Sequence, residues 1–181
     1  MKYLSFLISL LFLSSCFWFF QWDDTSSNLI LNDTEHFSIL VPNTWWEIPT
    51  SELPIPKSWE TILALKSQSE REGYYNNLVI LKVENTADTN SISLMQSTEK
   101  MLKNSLDAFK LTAKNNFTFP DEETWIILTF SGKYNSNTPT TQYIQTAKIC
   151  DDASYFMTIS VWEVLESYAR YEEILQTFRC N

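Results

Sequence analysis

Few side chains in this sequence are suited to acid–base or nucleophilic catalysis. The chain of 181 residues has a single histidine, His36, which follows Glu35 and precedes a predicted strand. A Ser-His-Asp site would have to use this histidine, and a metal site with several histidines is excluded. Serines are plentiful, but none lies in a G-x-S-x-G nucleophile elbow. Since a lone histidine at a strand edge is usually only solvated, we expect no catalytic residue at this position.

Two acidic clusters could bind a divalent cation through carboxylate oxygens. The denser cluster is Asp121-Glu122-Glu123, directly after Pro120, and the other is Asp151-Asp152. The denser cluster lacks the spacing of a calcium-binding loop, so we predict a solvated turn there. Asp151-Asp152 is predicted to be the tip of a hairpin, because aspartate favours turns. The sequence therefore predicts no metal site and no cofactor.

The N-terminal segment has the features of a lipoprotein signal peptide. A basic residue is followed by a short apolar run that ends in Leu13-Ser14-Ser15-Cys16, which resembles the bacterial lipobox. The small pair would enter a peptidase cleft, and the Cys16 thiol would then take a diacylglyceryl group. On this interpretation residues 1–15 are a signal peptide and 16–35 a lipidated polar tether.

An uncleaved membrane helix is the alternative for the same segment. Tyr3 to Trp22 is one apolar span of sufficient length to cross a hydrocarbon core of about 30 Å. Lipidation is the favoured interpretation, because Cys16 falls at the end of an apolar run of signal-peptide length. Both interpretations place residues 23–181 outside the cytoplasmic membrane.

Composition excludes several classes of function. The formal net charge is −9 at pH 7, which argues against nucleic-acid binding and against a basic patch for anionic lipid. The only two glycines, Gly73 and Gly132, cannot form a phosphate-binding glycine-rich loop, so nucleotide folds of that kind are excluded. Hydrophobic residues make up 44% of the chain, enough for the core of one domain over 36–181.

Hydrophobic periodicity predicts the elements that carry these residues. Residues 36–49 are predicted to form a strand, a turn and a second strand, with an apolar period of two over 37–41. Apolar runs between turns predict further strands over 59–67, 77–84, 124–134, 140–150 and 154–162. A period of 3.6 predicts helices over 91–114 and 164–178, the first with a capping box at Ser93 and Gln96. Residues 28–31 either dock on the domain or form a short edge strand.

The fold class follows from the strands that are apolar on both sides. Strands 77–84 and 124–130 have apolar residues at successive positions, so both of their faces need cover. Short turns join the last three strands into an antiparallel meander. The predicted fold is α+β, a central antiparallel sheet of about six strands with helices packed on both faces.

The stretch FSILVPNTWW resembles the opening of PsbP-like domains. It has an aromatic-x-aliphatic strand, a proline, and a tryptophan three residues later, at Phe37, Ile39, Pro42 and Trp45. The order of elements over roughly 35–180 is also similar. The resemblance implies a PsbP-like α/β sandwich and a binding or assembly module that has no shared catalytic motif. It also implies a core role for Trp45, which leaves Trp46 on the other face.

The sequence contains several aromatic residues beyond those that a hydrophobic core of this size needs. They either line a ligand pocket or a protein-binding patch, or they pack an aromatic-rich core, and packing is the favoured interpretation. These residues are Trp46, Trp59, Tyr74, Tyr75 and Trp125.

A disulfide between Cys150 and Cys180 is predicted. Outside the cytoplasm thiols can oxidise, and two cysteines remain once Cys16 is lipidated. From Cys150 the strand 154–162 runs about 30 Å away, and the closing helix returns about 20 Å, so Cys180 arrives near its starting point. Two free thiols are the alternative.

The sequence therefore predicts a membrane-anchored, extracytoplasmic lipoprotein of the cell envelope that acts as a non-catalytic binding or assembly-accessory module. Its expected partners are the membrane, through the lipid on Cys16, and an unidentified envelope protein, and nucleic acid is excluded. Two alternatives stay open. One is a small envelope hydrolase that uses a carboxylate cluster or a serine, and the other is a purely structural envelope protein.

Overall fold

The computed structural model describes residues 28–50, 53, 59–71, 73–85, 90–151, 153–162 and 168–181. The signal peptide, Cys16 and the alternative membrane helix that the sequence predicts lie outside these residues. No helix in the described ranges is long and apolar enough to cross a membrane.

Ten strands and two helices form within the described residues. In chain order they are β1 (Leu29–Asp33), β2 (Phe37–Pro42), β3 (Trp46–Glu47), β4 (Glu60–Arg71), β5 (Tyr74–Glu84), α1 (Ser91–Ser105), β6 (Asp107–Thr118), β7 (Thr124–Lys133), β8 (Thr141–Cys150), β9 (Ala153–Val161), α2 (Tyr168–Gln176) and β10 (Arg179–Cys180).

A seven-stranded antiparallel sheet forms the centre of the protein, in the order β3-β4-β5-β9-β8-β7-β6. The predicted meander is confirmed as β7, β8 and β9, and β9 pairs in addition with β5. In that pairing Leu78 and Ile80 of β5 oppose Ile159 and Met157 of β9, and all four side chains are fully buried. The apolar alternation of these strands thus places one continuous core along the middle of the sheet.

A second sheet, in the order β1-β2-β10, covers one face of the central sheet. Phe37 of β2 stacks on Phe178 with ring centroids 5.0 Å apart and meets Tyr155 of β9 edge-on at 5.5 Å. Helix α2 lies beside this small sheet and contacts β2 and β8. Of the two alternatives for residues 28–31, the structure shows the edge strand, β1. This strand lies within residues 16–35, which were predicted to be a tether.

The predicted α+β fold is wrong in one respect, namely that helices do not cover both faces of the central sheet in the described part of the chain. The protein is mostly β, and a three-stranded sheet supplies cover that the sequence assigned to helices. One reason is that β10 has only two residues, too few to show a hydrophobic period. The predicted second strand within residues 36–49 is confirmed as β3. Helix α1 packs on the central sheet against β6, β7 and β8.

The prediction of one helix over 91–114 is wrong in its second half. Helix α1 ends at Ser105, and residues 107–118 form the edge strand β6, which pairs with β7. Phe109, Leu111 and Ala113 alternate with polar residues, so the sequence also satisfies a period of two, and pairing with β7 decides between the two periods. The non-glycine residue Ala108 has a φ of 54°, which marks the change of direction.

The predicted capping box is also wrong. The N-cap of α1 is Asn90, whose side-chain oxygen accepts a hydrogen bond of 3.0 Å from the backbone N–H of Ser93. Ser93 is therefore the third residue of the helix and not its cap.

The predicted disulfide between Cys150 and Cys180 is confirmed, with a Cα–Cα distance of 5.6 Å. Cys150 ends β8 in the central sheet and Cys180 lies in β10 in the small sheet, so the bond joins the two sheets. The turn after Cys150 is the predicted hairpin tip. Asp151 there has a φ of 52°, a left-handed conformation that aspartate tolerates better than most residues.

Candidate functional site

An apolar groove, here called the Trp59 groove, lies between helix α1 and the ends of β5 and β9. It has a volume of about 370 Å³. The Trp59 ring stacks on Phe156 of β9, with centroids 5.0 Å apart and an interplanar angle of 26°. The groove is lined by Trp59, Val83, Glu84, Asn85, Leu94, Ser97, Thr98, Met101, Ser154 and Phe156.

One face of α1 forms a wall of the Trp59 groove. Leu94, Thr98 and Met101 occupy positions i, i+4 and i+7, which lie on one side of a helix. Thr98 is buried, and its hydroxyl donates to the carbonyl of Leu94 at 2.8 Å, so it presents its methyl group and no free donor. Met101 is 39% exposed at the rim. Met101 and Trp59 both line the groove, and the flexible thioether makes its apolar surface adaptable, which suits the binding of apolar side chains.

Among the described residues that line the polar end of the Trp59 groove, none is an activated nucleophile. Ser154 is buried, and its hydroxyl bonds to the side-chain oxygen of Asn85 rather than to a base. Glu84 adds one acidic side chain to the lining. The arrangement provides recognition chemistry, an apolar surface with a polar end, and not the base–nucleophile pair that covalent catalysis needs.

The acidic cluster at 121–123 is organised around a buried lysine that the sequence reasoning missed. Lys148 of β8 has only 2% of its side chain exposed, and its ammonium pairs with Asp121 at 2.5 Å and with Glu123. The same ammonium lies 5.1 Å from the ring centroid of Phe119. Glu123 also accepts a hydrogen bond of 3.1 Å from Nε1 of Trp125.

The predicted solvent-exposed turn at 121–123 is confirmed, and two of its three residues also pair with a buried lysine, which the sequence did not indicate. Asp121 and Glu123 are about half exposed, and each turns one oxygen toward Lys148. Glu122 is exposed, with a φ of 67° at the tip of the turn. One face of β8 carries Ile144, Thr146, Lys148 and Cys150, all of which are buried, so a lysine in line with core residues was the signal that could have found this cluster.

The environment of Asp121 lowers its pKa. Partial burial is the largest single influence and acts to raise the pKa of this carboxyl. The hydrogen bond from Lys148, the backbone N–H of Glu123 and the lysine charge outweigh it together, so the pKa falls below the ordinary value of 3.8. The carboxylate is therefore held ionised as a structural counter-ion. In the described part of the chain no group of three His, Cys, Asp or Glu residues could hold a metal ion.

His36 directly precedes β2 and does not belong to either of these sites. It is half-buried, and its backbone carbonyl accepts a hydrogen bond of 3.2 Å from the N–H of Asn181. Among the described residues its imidazole makes no hydrogen bond or ion pair. No Ser-His-Asp arrangement is formed within these residues.

Of the five aromatic residues that could line a pocket, Trp59 lines the Trp59 groove. Trp125 is buried in the core, and Tyr74 packs on Trp162 and bonds to Ser160 at 2.6 Å, with burial raising its pKa. Tyr75 donates to Glu70 at 2.7 Å.

The inward and outward roles of the two adjacent tryptophans are confirmed. Trp45 is 6% exposed and belongs to the core, whereas Trp46 is 50% exposed. Trp46 begins β3 and Trp45 directly precedes it, and successive side chains of an extended chain point in opposite directions.

Comparison with known proteins gives structural neighbours only. No family model and no curated protein matches the sequence. The structure is similar to cyanobacterial PsbP (CyanoP) from Synechocystis sp. PCC 6803, with a TM-score of 0.58 and 12% identity over 84% of this chain and 92% of that one. The Ran-binding protein Mog1p of Saccharomyces cerevisiae has a TM-score of 0.54 and 12% identity, covering 85% of this chain and 96% of its own. Protein PA94 from Pseudomonas aeruginosa has a TM-score of 0.54 and 12% identity, covering 83% and 96%.

Proposed function

Because its domain has the PsbP-like fold, we propose that this protein is an extracytoplasmic, membrane-anchored lipoprotein whose domain is a non-catalytic binding module. The observation that carries the proposal is the Trp59 groove, an open apolar surface whose described lining residues include no activated nucleophile. One solved structure of the same fold is that of a Ran-binding protein, so a protein partner is compatible with this scaffold.

The proposed occupant of the Trp59 groove is an apolar segment of an envelope protein, flanked by basic residues. A volume of about 370 Å³ is small for a drug-sized ligand site and suits the insertion of one or two side chains. The net charge of −9, with Glu84 in the lining, favours positive charge on the partner next to the inserted side chains.

A matched pair of substitutions tests the groove. Met101→Glu places a charge at the rim of the groove, whereas Tyr134→Glu places the same charge on another exposed residue outside the lining. Chemical cross-linking in the native envelope should capture one partner with the unsubstituted chain and with Tyr134→Glu, and lose it with Met101→Glu. If the Met101→Glu protein still cross-links to the partner, the partner binds to a different surface.

The anchor is proposed from the lipobox match at Cys16. A disulfide between Cys150 and Cys180 supports an oxidising compartment for the domain. Mass spectrometry of the N-terminal peptide should find acylated Cys16 as the first residue. An unprocessed N-terminus with a free Cys16 thiol would contradict lipidation and favour the spanning helix from Tyr3 to Trp22.

His36→Ala separates the binding module from an envelope hydrolase. A serine hydrolase built on this chain would need the single histidine, so this variant should keep the cellular function of the unsubstituted protein. Circular dichroism supplies the folding control. Loss of function in a folded His36→Ala protein would restore the hydrolase interpretation.

A further inference from the structure

The edge strands of the two sheets differ in how they are protected against pairing with another chain. Proteins blunt exposed edges with short strands, bulges and lysines. Strands β3 and β10 have two residues each, and β6 has two register shifts and carries Lys110 and Lys114. Strand β1 has five residues in unbroken register with β2, and it contains no lysine and no proline. Within the described residues, β1 is the edge without such a device.

The first three side chains of β1 are apolar and exposed. Leu29 is 41% exposed, Ile30 50% and Leu31 61%, so apolar surface is presented on both sides of the strand. Three consecutive exposed aliphatic residues on an open edge are the pattern that pairs readily with another strand. The only charged residue of the strand is Asp33 at its end.

The backbone groups that β1 leaves open follow from its register. Leu31 is opposite Leu40, whose N–H donates to the hydroxyl of Thr177 at 2.8 Å and so points away from β1. In an antiparallel pair, hydrogen-bonded and non-bonded positions alternate. Leu29, Leu31 and Asp33 therefore all direct their N–H and C=O groups toward the open edge.

We infer that two copies of this chain pair through β1, antiparallel about a two-fold axis at Leu31. In this register Leu31 meets Leu31 of the second copy, and Leu29 meets Asp33 of the second copy, so every open backbone group finds a partner. The two Asp33 carboxylates of such a dimer are offset by four residues along the strands, which places them about 14 Å apart. This distance exceeds the Debye length of about 8 Å, so their mutual repulsion is largely screened. Because this edge is self-complementary, the backbone hydrogen bonds between the two β1 strands are sufficient to define the dimer.

The expected dimer is weak in solution. Pairing of two five-residue strands buries much less than the roughly 1,200 Å² of a typical stable interface. The net charge of −9 on each copy opposes association, so pairing should strengthen as salt screens the repulsion. The inference does not depend on the lipid anchor, although copies held on one membrane would meet at a higher effective concentration.

Cysteine cross-linking in bacterial cells that express the full chain tests the register. In Leu31→Cys the two introduced residues should have Cα atoms about 5.5 Å apart, within disulfide reach. In Leu29→Cys, on the same side of the same strand, they should be about 14 Å apart. After mild oxidation and non-reducing electrophoresis, Leu31→Cys should give at least about tenfold more reducible dimer than Leu29→Cys. The unsubstituted chain controls for linkage through Cys16.

A double variant makes the test independent of one substitution. Leu29→Cys with Asp33→Cys should restore the cross-link, because these positions oppose each other across the two-fold axis. Equal cross-linking of Leu31→Cys and Leu29→Cys would overturn the inference, because it would show random collision. Absence of a dimer from Leu31→Cys and from the double variant, in protein with an intact Cys150–Cys180 bond, would overturn it as well. A reducible band whose mass differs from that of the dimer would show that β1 pairs with a different protein, which would also overturn the inference.

Discussion

Removal of the carboxylates of Asp121 and Glu123 should destabilise the protein far more than removal of the lysine with which they pair. The asymmetry comes from burial. The Lys148 side chain is 2% exposed, whereas the side chains of Asp121 and Glu123 are 53% and 57% exposed. Water can therefore solvate the two carboxylates if the lysine is lost, but it cannot reach the ammonium if the carboxylates are lost.

The magnitudes follow from this difference. In Asp121→Asn/Glu123→Gln the ammonium stays buried without a counter-charge, which costs about 3–5 kcal/mol. In Lys148→Met an unbranched apolar chain stays against Phe119, and only a half-exposed ion pair is lost, so we expect a change within about 1 kcal/mol of zero. Glu123→Gln keeps an acceptor oxygen for Nε1 of Trp125, so the loss reports on charge rather than on that hydrogen bond.

Urea denaturation at pH 7 of the unsubstituted protein, the double carboxylate variant and Lys148→Met measures the change in the free energy of unfolding that each variant causes. The pH dependence supplies an internal check. The pKa of Asp121 lies below its ordinary value of 3.8 in the folded protein, so its contribution is complete at pH values above that ordinary value. That contribution is lost as the pH falls through the lower folded value. The unsubstituted protein should therefore lose stability relative to Lys148→Met as the pH falls below about 4.

Equal losses of stability in Lys148→Met and in the double carboxylate variant would refute this reasoning. That outcome would mean that the favourable pair energy, rather than the burial of an unpaired ammonium, sets the cost. A pH dependence unchanged by Lys148→Met would separately contradict the assignment of Asp121 as the counter-ion.

Two further substitutions test the elements around these sites. Cys150→Ser/Cys180→Ser should lower the free energy of unfolding by about 3–4 kcal/mol, because the bond closes a loop with a sequence separation of 30. Chemical denaturation with and without reductant measures this, and an unchanged midpoint would contradict a structural role. Asn90→Ala should cost about 1 kcal/mol and Asn90→Ser much less, because only alanine removes the acceptor for the N–H of Ser93. Thermal unfolding compares the two variants, and equal melting temperatures would show that the cap contributes nothing.

Local patterns in the sequence were sufficient for much of the fold. The apolar runs of β5, β7, β8 and β9 indicated which segments form strands, and the successive apolar residues of β5 and β7 indicated that both faces of the sheet are covered. The alternation of side chains along an extended chain separates Trp45 from Trp46. The disulfide was predictable because strand and helix lengths set where Cys180 returns. Of the candidate groove, the sequence indicated only Trp59 as a possible lining residue.

Only the tertiary structure decided the features that depend on distant parts of the chain. Residues 107–118 satisfy the helical and the strand period alike, and hydrogen bonding to β7 selects the strand. Lys148 is tolerated in the core because a turn 25 residues earlier brings Glu123 against it. Strand β1 becomes an edge because β2 pairs with it on one side only within the described residues. A local period records the direction of a side chain, but the partner that it meets is fixed by loop closure and packing over the whole chain.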